Sequence, residues 1–354
     1  ELSSNLRIII NNTITMKRIF LILAVLATVA AFSSCSRDKE GEFTPKEKIK
    51  AVYVEQSDNE SGTWRSDGRY LSETFNWDGK LLASINYYDF GDFMFTETFS
   101  YDKKDRITGS TFSGDIDPGF GTEYTYDGKE LKKISFKFND IIGEEVVFAH
   151  SDGKISEVTI TYYDIMLMRK KAMQRVNPLR TILPPQTAEA IDQAVSEHAK
   201  NKKDSEALSI KLQFTWDGKN VESVSFNYKD NYDDVKAKLD YTYDKKRNPF
   251  YCLITAYDMI MDIMMDNILP SRFFSMLSKN NPLTLKGSFS EDGDEVEEIS
   301  ATYTYVYDGK WPTKSTLEVP TSYNDWEYNE ETGEYEPHTI NYIERVVTEY
   351  EYED

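Results

Sequence analysis

The sequence predicts a mainly β protein: an antiparallel β-meander forming a large curved sheet or half-open barrel, with two helical insertions. Three observations predict it. A turn motif recurs along the chain, its flanks alternate apolar and polar residues, and two long gaps in the repeat are rich in methionine. The motif is an aromatic, then Asp, then Gly or Lys, then Lys, followed by a β-type run. Four copies come first: Trp77-Asp78-Gly79-Lys80, Tyr101-Asp102-Lys103-Lys104, Tyr126-Asp127-Gly128-Lys129 and Ser151-Asp152-Gly153-Lys154. Their aspartates lie 24, 25 and 25 residues apart, a repeat period. Three more follow at Trp216-Asp217-Gly218-Lys219, Tyr243-Asp244-Lys245-Lys246 and Tyr307-Asp308-Gly309-Lys310.

Each copy reads as a hairpin. Asp-Gly supplies the positive φ that a type I′ turn needs at both central residues, and Lys returns the chain to solvent. After the third turn Ile134, Phe136 and Phe138 share one face, while Ser135 and Lys137 take the other. Val224, Phe226 and Tyr228 repeat that pattern after the fifth turn, so each strand is half buried. A period near 25 fits two strands, one tight turn and one longer return.

The period breaks twice, with 65 residues from Asp152 to Asp217 and 64 from Asp244 to Asp308. Eight of the ten methionines sit in these two gaps, and Met favours helix over strand. Helices are therefore expected near 164–207 and 256–280, covering the apolar face of the sheet. Residues 321–354 hold 11 acids and one base, Arg345, yet Tyr342, Val346, Tyr350 and Tyr352 predict an exposed acidic hairpin.

Composition limits the function. Among 354 residues, 41 Lys and Arg face 61 Asp and Glu, for a net charge of −20, and 14% are aromatic. That aromatic content argues against a disordered chain, and the absence of a basic stripe argues against nucleic acid as a partner. The N-terminus reads as an address: residues 1–15 as an upstream extension and residues 16–34 as a signal peptide. Met16 is followed by Lys17, Arg18 and an apolar run of 14 residues, Ile19 to Phe32, shorter than the roughly 20 that span a bilayer. Ser33, Ser34 and Cys35 then resemble a bacterial lipoprotein signal, in which the cysteine is acylated and becomes the new N-terminus. On this reading residues 35–48 are a lipidated linker and 49–354 a single repeat-built β domain. Only Cys252 remains as a second cysteine, in an apolar run that suits a buried thiol.

The lipoprotein signal, the Tyr-Asp-x-Lys turns, Asn248-Pro249-Phe250, Asn280-Asn281-Pro282 and Tyr305-Val306-Tyr307-Asp308-Gly309 together resemble Bacteroidetes envelope lipoproteins with a porin-like domain. More distantly they resemble YD or Rhs repeats. The resemblance covers roughly residues 70–320 and implies export, a lipid anchor in the outer membrane and no settled activity. It carries no catalytic residue.

The chemical inventory is thin. His150, His198 and His338 form no metal or triad pattern, and there is no phosphate-binding loop or HExxH. No cofactor is expected. Asp258, Asp262 and Asp266 recur every fourth residue and would share one helix face, reading as a solvated stripe or a weak cation site. Trp77 and Trp216 take the repeat's aromatic place, so they serve the hairpin. Trp64, Trp311 and Trp326 lie outside it and are the candidates for stacking on a sugar ring. The expected role is a non-enzymatic binding or scaffold module whose partner is a glycan or another envelope protein. The alternative is a carbohydrate-active hydrolase of the envelope. Strand faces turned outward carry Ser, Thr, Asn and Lys, so a lipid-facing pore is not expected.

Overall fold

A computed structural model describes residues 42–114, 119–138, 141–163, 208–229, 234–253, 278–291, 297–329 and 334–353. They form sixteen strands. The first eight are β1 (Ile49–Asp58), β2 (Arg65–Asp78), β3 (Leu81–Asp89), β4 (Asp92–Tyr101), β5 (Ile107–Gly114), β6 (Phe120–Asp127), β7 (Glu130–Phe138) and β8 (Ile141–Ser151). The second eight are β9 (Lys154–Tyr162), β10 (Leu208–Asp217), β11 (Asn220–Lys229), β12 (Asp234–Tyr243), β13 (Pro282–Glu291), β14 (Glu297–Asp308), β15 (Trp311–Asn329) and β16 (Glu334–Tyr352). Each strand pairs antiparallel with its sequence neighbours, and β1 pairs with β16, so the sheet is a closed barrel. The half-open form expected from the sequence is thus corrected. Closure runs from Ala51 opposite Glu351 to Asp58 opposite Glu344 and leaves no raw sheet edge along that seam. The helices expected near 164–207 and 256–280 fall outside the described residues, except 278–280, which are loop; among the described residues there is no helix.

The repeat turns all lie at one end of the barrel, here the turn rim. At four of them the two central residues are Gly-Lys, not Asp-Gly. Asp78 pairs with Leu81, Asp127 with Glu130, Asp217 with Asn220 and Asp308 with Trp311. Gly79, Gly128, Gly218 and Gly309 sit at φ 56° to 60°, while the lysines that follow stay at negative φ, the pattern of type II′. Only the fourth copy is the expected type I′ turn, with Asp152 at φ 55° and Gly153 at φ 68°. Its register moves by one residue, so His150, opposite Ile155, fills the place that Trp77 fills opposite Leu82. The second copy is a wider turn, closed by Asp102 Oδ1 accepting from the Lys104 and Arg106 N–H groups. The sixth is no hairpin: after Asp244 the chain leaves the sheet and returns at Asn281.

Every strand contributes to one contiguous buried cluster, from Ile49 and Val52 in β1 to Val346 in β16. In a closed barrel such a cluster can only be the inside. Phe95, Leu131, Val146, Phe148, Val158 and Leu212 are fully buried there. At the turn rim, residues 244–253 reach over the core, with Phe250 6.4 Å from the Phe75 ring and 5.7 Å from Tyr350. Phe43 seals the rim beside Trp77.

The outside is mostly polar, with Val147 and Val306 among its exposed apolar residues. Lys133 pairs with Glu145 at 2.6 Å, Lys211 with Glu157 at 3.4 Å, Lys314 with Glu349 at 3.3 Å and Lys137 with Glu123. Between these ion pairs run hydroxyl contacts, such as Thr242 to Thr284 at 2.6 Å. A membrane barrel needs an apolar outer band, and these outward positions are charged or hydroxylic.

Candidate binding surface at the loop rim

The end opposite the repeat turns, the loop rim, carries the exposed aromatic rings Trp64, Phe90 and Phe93. The β15–β16 hairpin builds its tallest part. β15 pairs with β14 only as far as Glu318, and β16 with β1 only from Glu344, so residues 319–329 and 334–343 pair with each other as a two-stranded ribbon. The hairpin expected over 321–354 is formed by β15 and β16; since Val346, Tyr350 and Tyr352 belong to the barrel wall and core, only its outer part is this ribbon. Asn59 clamps its base, with its N–H donating to Ile343 O and its Oδ1 accepting from Ile343 N–H at 2.7 Å. A cleft of about 390 Å³ opens there, lined by Asn59, Pro320, Thr321, Ser322, Asn341, Tyr342 and Ile343.

Two carboxylates face each other beside the cleft. Asp58 and Glu344 are cross-strand partners, and Tyr342 OH donates to Glu344 Oε1 at 3.0 Å. Burial, and then the Asp58 charge, push the Glu344 carboxyl above its ordinary pKa. Trp64, in the β1–β2 loop, is 42% exposed, and the Arg345 guanidinium lies over its ring at 3.6 Å. Arg345 is held in turn by Glu318 at 2.6 Å.

The β3–β4 turn adds two rings that the sequence did not single out. Phe90 occupies a type I′ turn at φ 45°, followed by Gly91 at φ 90°, and is 61% exposed. An aromatic residue in the left-handed region is strained, and such strain clusters at functional sites. The Phe90 ring lies tilted 5.0 Å from Tyr70 and Phe93 meets Tyr88 edge-on at 5.9 Å, while Asp89 and Asp92 are partners across the turn. Burial and Asp92 raise the Asp89 pKa. Asp-Phe-Gly-Asp lacks the Asn-Gly of a standard I′ turn, which was the available signal.

Of the three tryptophans singled out in the sequence, Trp64 and Trp311 stand at opposite ends of the barrel. Trp64 is at the loop rim, and Trp326 lies on the ribbon opposite Pro337. Trp311 stands at the turn rim, its ring 6.3 Å from Tyr352 with Arg247 over it at 5.7 Å, so it belongs to the turn architecture. Cys35, Asp258, Asp262 and Asp266 lie outside the described residues. Among the described residues no cluster of His, Cys, Asp and Glu could hold a metal ion, and no helix is long and apolar enough to cross a membrane.

Fold and faces together define a class: a sixteen-stranded up-and-down barrel, apolar within and polar without, carrying an acidic, aromatic loop rim. No protein-family model matches the chain, and no curated protein does. Among solved structures it is similar to a porin-like protein from Bacteroides uniformis, at 10% identity and a TM-score of 0.39, over 89% of this chain and all of that one. It is also similar to a TcdB2-TccC3-Cdc42 structure, at 11% identity and a TM-score of 0.25, over 76% of this chain and 14% of that one.

Proposed function

We propose that the mature protein is a non-enzymatic lipoprotein of the cell envelope, anchored in the outer membrane through acylated Cys35, whose barrel stands in water and presents its loop rim as a binding surface. The observation that carries this reading is the outward face of the strands, a lattice of ion pairs and hydroxyls that hydrocarbon would not solvate. A glycan suits the rim chemically. Exposed Trp64, Phe90 and Phe93 offer flat apolar faces for a sugar ring, and Asp58, Asp89, Asp92 and the cleft amides offer acceptors and donors for its hydroxyls. Detergent-phase partitioning tests the anchor: wild type enters the detergent phase and Cys35→Ala remains aqueous. Binding to a panel of immobilised glycans tests the surface, with loss expected in Trp64→Ala and Phe90→Gly.

The hydrolase alternative is favoured by one observation, the Asp58–Glu344 pair beside the cleft. A carboxyl with a raised pKa next to a second carboxylate is the arrangement of an acid and its partner in glycoside hydrolysis. Turnover of a bound glycan that is abolished by Glu344→Gln would select this reading over the first.

A further inference from the structure

We propose that the turn rim is a cationic collar that docks on the anionic phospholipid surface in which the Cys35 anchor sits, so that the loop rim points away from the membrane. The proposal rests on the lipoprotein reading for the anchor, and on the observed distribution of charge for the collar.

The chain enters the barrel at the turn rim. Ile49 opens β1 beside the repeat turns, and Phe43 is already packed against Trp77 there. Residue 42 follows Cys35 by seven positions, which at full extension reach about 25 Å. A tether that short holds this rim, and not the opposite one, at the headgroups.

The rim's charge is unlike that of the rest of the protein. Segments 42–48, 78–80, 102–106, 127–130, 152–154, 217–219, 244–247, 278–281 and 308–310, with Glu353, carry 14 Lys and Arg against 12 Asp and Glu, in a chain of net charge −20. The ribbon end of the loop rim, residues 320–344, has seven acids and no Lys or Arg. The barrel is therefore polarised along its axis.

The cations of the turn rim form two layers. One is pinned on the repeat aromatics: Lys48 over Trp77 at 5.5 Å, Arg106 over Tyr126 at 4.1 Å, Lys154 over Trp216 at 5.9 Å and Lys246 over Tyr307 at 5.3 Å. These serve the fold. The other layer stands at the turn tips. Lys129, Lys219 and Lys310 follow the positive-φ glycine, as does Lys80, which is paired with Asp105; the aspartate of each motif is the last strand residue before the turn and is itself exposed. Lys104, Lys129, Lys245 and Lys310 are exposed. Several acids of the same rim are already engaged: Asp102 by Arg106 at 2.6 Å, Asp105 by Lys80, Glu353 by Lys48 at 3.1 Å, and Asp244 by Tyr307 and Asn281. What the rim offers a flat anionic surface is the exposed lysines of its turns, Lys104, Lys129, Lys245 and Lys310. Phosphate headgroups attract such lysines within a Debye length, about 8 Å at physiological salt, and repel the acidic rim opposite.

Two measurements test this. In the first, the unacylated Cys35→Ala protein is sedimented with vesicles of phosphatidylcholine alone or mixed with phosphatidylglycerol. The collar predicts binding to the anionic vesicles only, reversed by salt, and weakened about tenfold or more in a Lys104→Gln, Lys129→Gln, Lys245→Gln, Lys310→Gln variant whose melting temperature matches wild type. Equal binding by the two proteins, or none by either, overturns it. If the fourfold variant does not fold, the single substitutions are compared, and a step down at each is required. In the second, the acylated protein in the same vesicles carries a fluorophore on Asp127→Cys or on Glu60→Cys, and headgroup-linked quenchers are added. Quenching at 127 and not at 60 is expected. Equal or reversed quenching overturns the orientation. Failure of the lipoprotein reading looks different: wild type and Cys35→Ala would then bind vesicles equally well, while the lysine dependence persisted.

Discussion

At Trp77, Tyr101, Tyr126 and Trp216 the repeat aromatic does more than fill space, because its polar atom ties one hairpin to the next. Trp77 Nε1–H donates to Ile49 O at 2.8 Å, Tyr101 OH to Leu82 O at 2.6 Å, Tyr126 OH to Ile107 O at 2.7 Å and Trp216 Nε1–H to Ile155 O at 2.9 Å. Tyr352 OH closes the ring by donating to Pro312 O at 2.8 Å. Trp and Tyr interchange in this place, and Phe does not appear there, because the place needs a donor. Tyr101→Phe should therefore cost about 0.5–1.5 kcal/mol in urea unfolding although it removes no carbon. Gly128 tests the backbone alone. A Cβ there would meet nothing within 4 Å, yet φ is 60°, so Gly128→Val should destabilise by about 1–3 kcal/mol through conformation only, read as a lowered melting temperature. Glu144 is a separate case. Its Oε1 is sealed from solvent with no hydrogen-bond partner, and burial lifts its carboxyl from 4.5 to about 8. The folded state thus holds a proton that the unfolded chain releases above about pH 4.5. Stability should fall as pH rises from 4.5 to 8 and level off beyond, and Glu144→Gln should flatten that segment of the curve. The repeat aromatic was legible in the sequence because it recurs; Glu144 was not, since one acid among 61 carries no mark of the face it will occupy.

At the scale of elements, the hairpin was legible and its register was not. Alternation around Tyr124 and Ile134 placed the strands correctly, because one face must be buried and a slip of one residue would expose it. The central pair of the turn was misjudged, Gly-Lys in place of Asp-Gly, because a bulge precedes each repeat aromatic and shifts the pairing by one residue. The sixth copy fails as a hairpin although its letters match. Tyr307 OH and Asn281 bind the Asp244 carboxylate, so that aspartate anchors a loop that crosses the barrel mouth. Of the loop-rim residues, Trp64 is one the sequence singles out, while Phe90 and Glu344 are not, since they stand out only through a strained turn and a partner strand far away in sequence. The β3–β4 turn gives a prediction of its own. Phe90→Gly relieves a left-handed aromatic and should raise stability by about 1 kcal/mol while removing a ring from the loop rim. A variant that melts higher and binds glycan more weakly would identify the turn as a site that trades stability for recognition.

The whole molecule depends on a closure that no local pattern announces. Lys50 Nζ donates to Glu351 across 301 residues of sequence, and nothing in the residues around either one names the other as its partner. Once β1 meets β16, the two faces of a half-buried strand become an inside and an outside, and the alternation legible in the sequence assigns them: apolar residues inward, ion pairs and hydroxyls outward. That arrangement is opposite to a membrane-spanning barrel, in which lipid faces an apolar band. The most direct test places nitroxide spin labels singly at outward Thr98, Gln213 and Thr304 of the protein, acylated at Cys35 as proposed, in lipid vesicles and compares collision with a water-soluble nickel chelate and with oxygen. The barrel described here predicts high nickel and low oxygen accessibility at all three positions, as for any residue in water. Low nickel with high oxygen accessibility would put those strands in hydrocarbon and contradict the account.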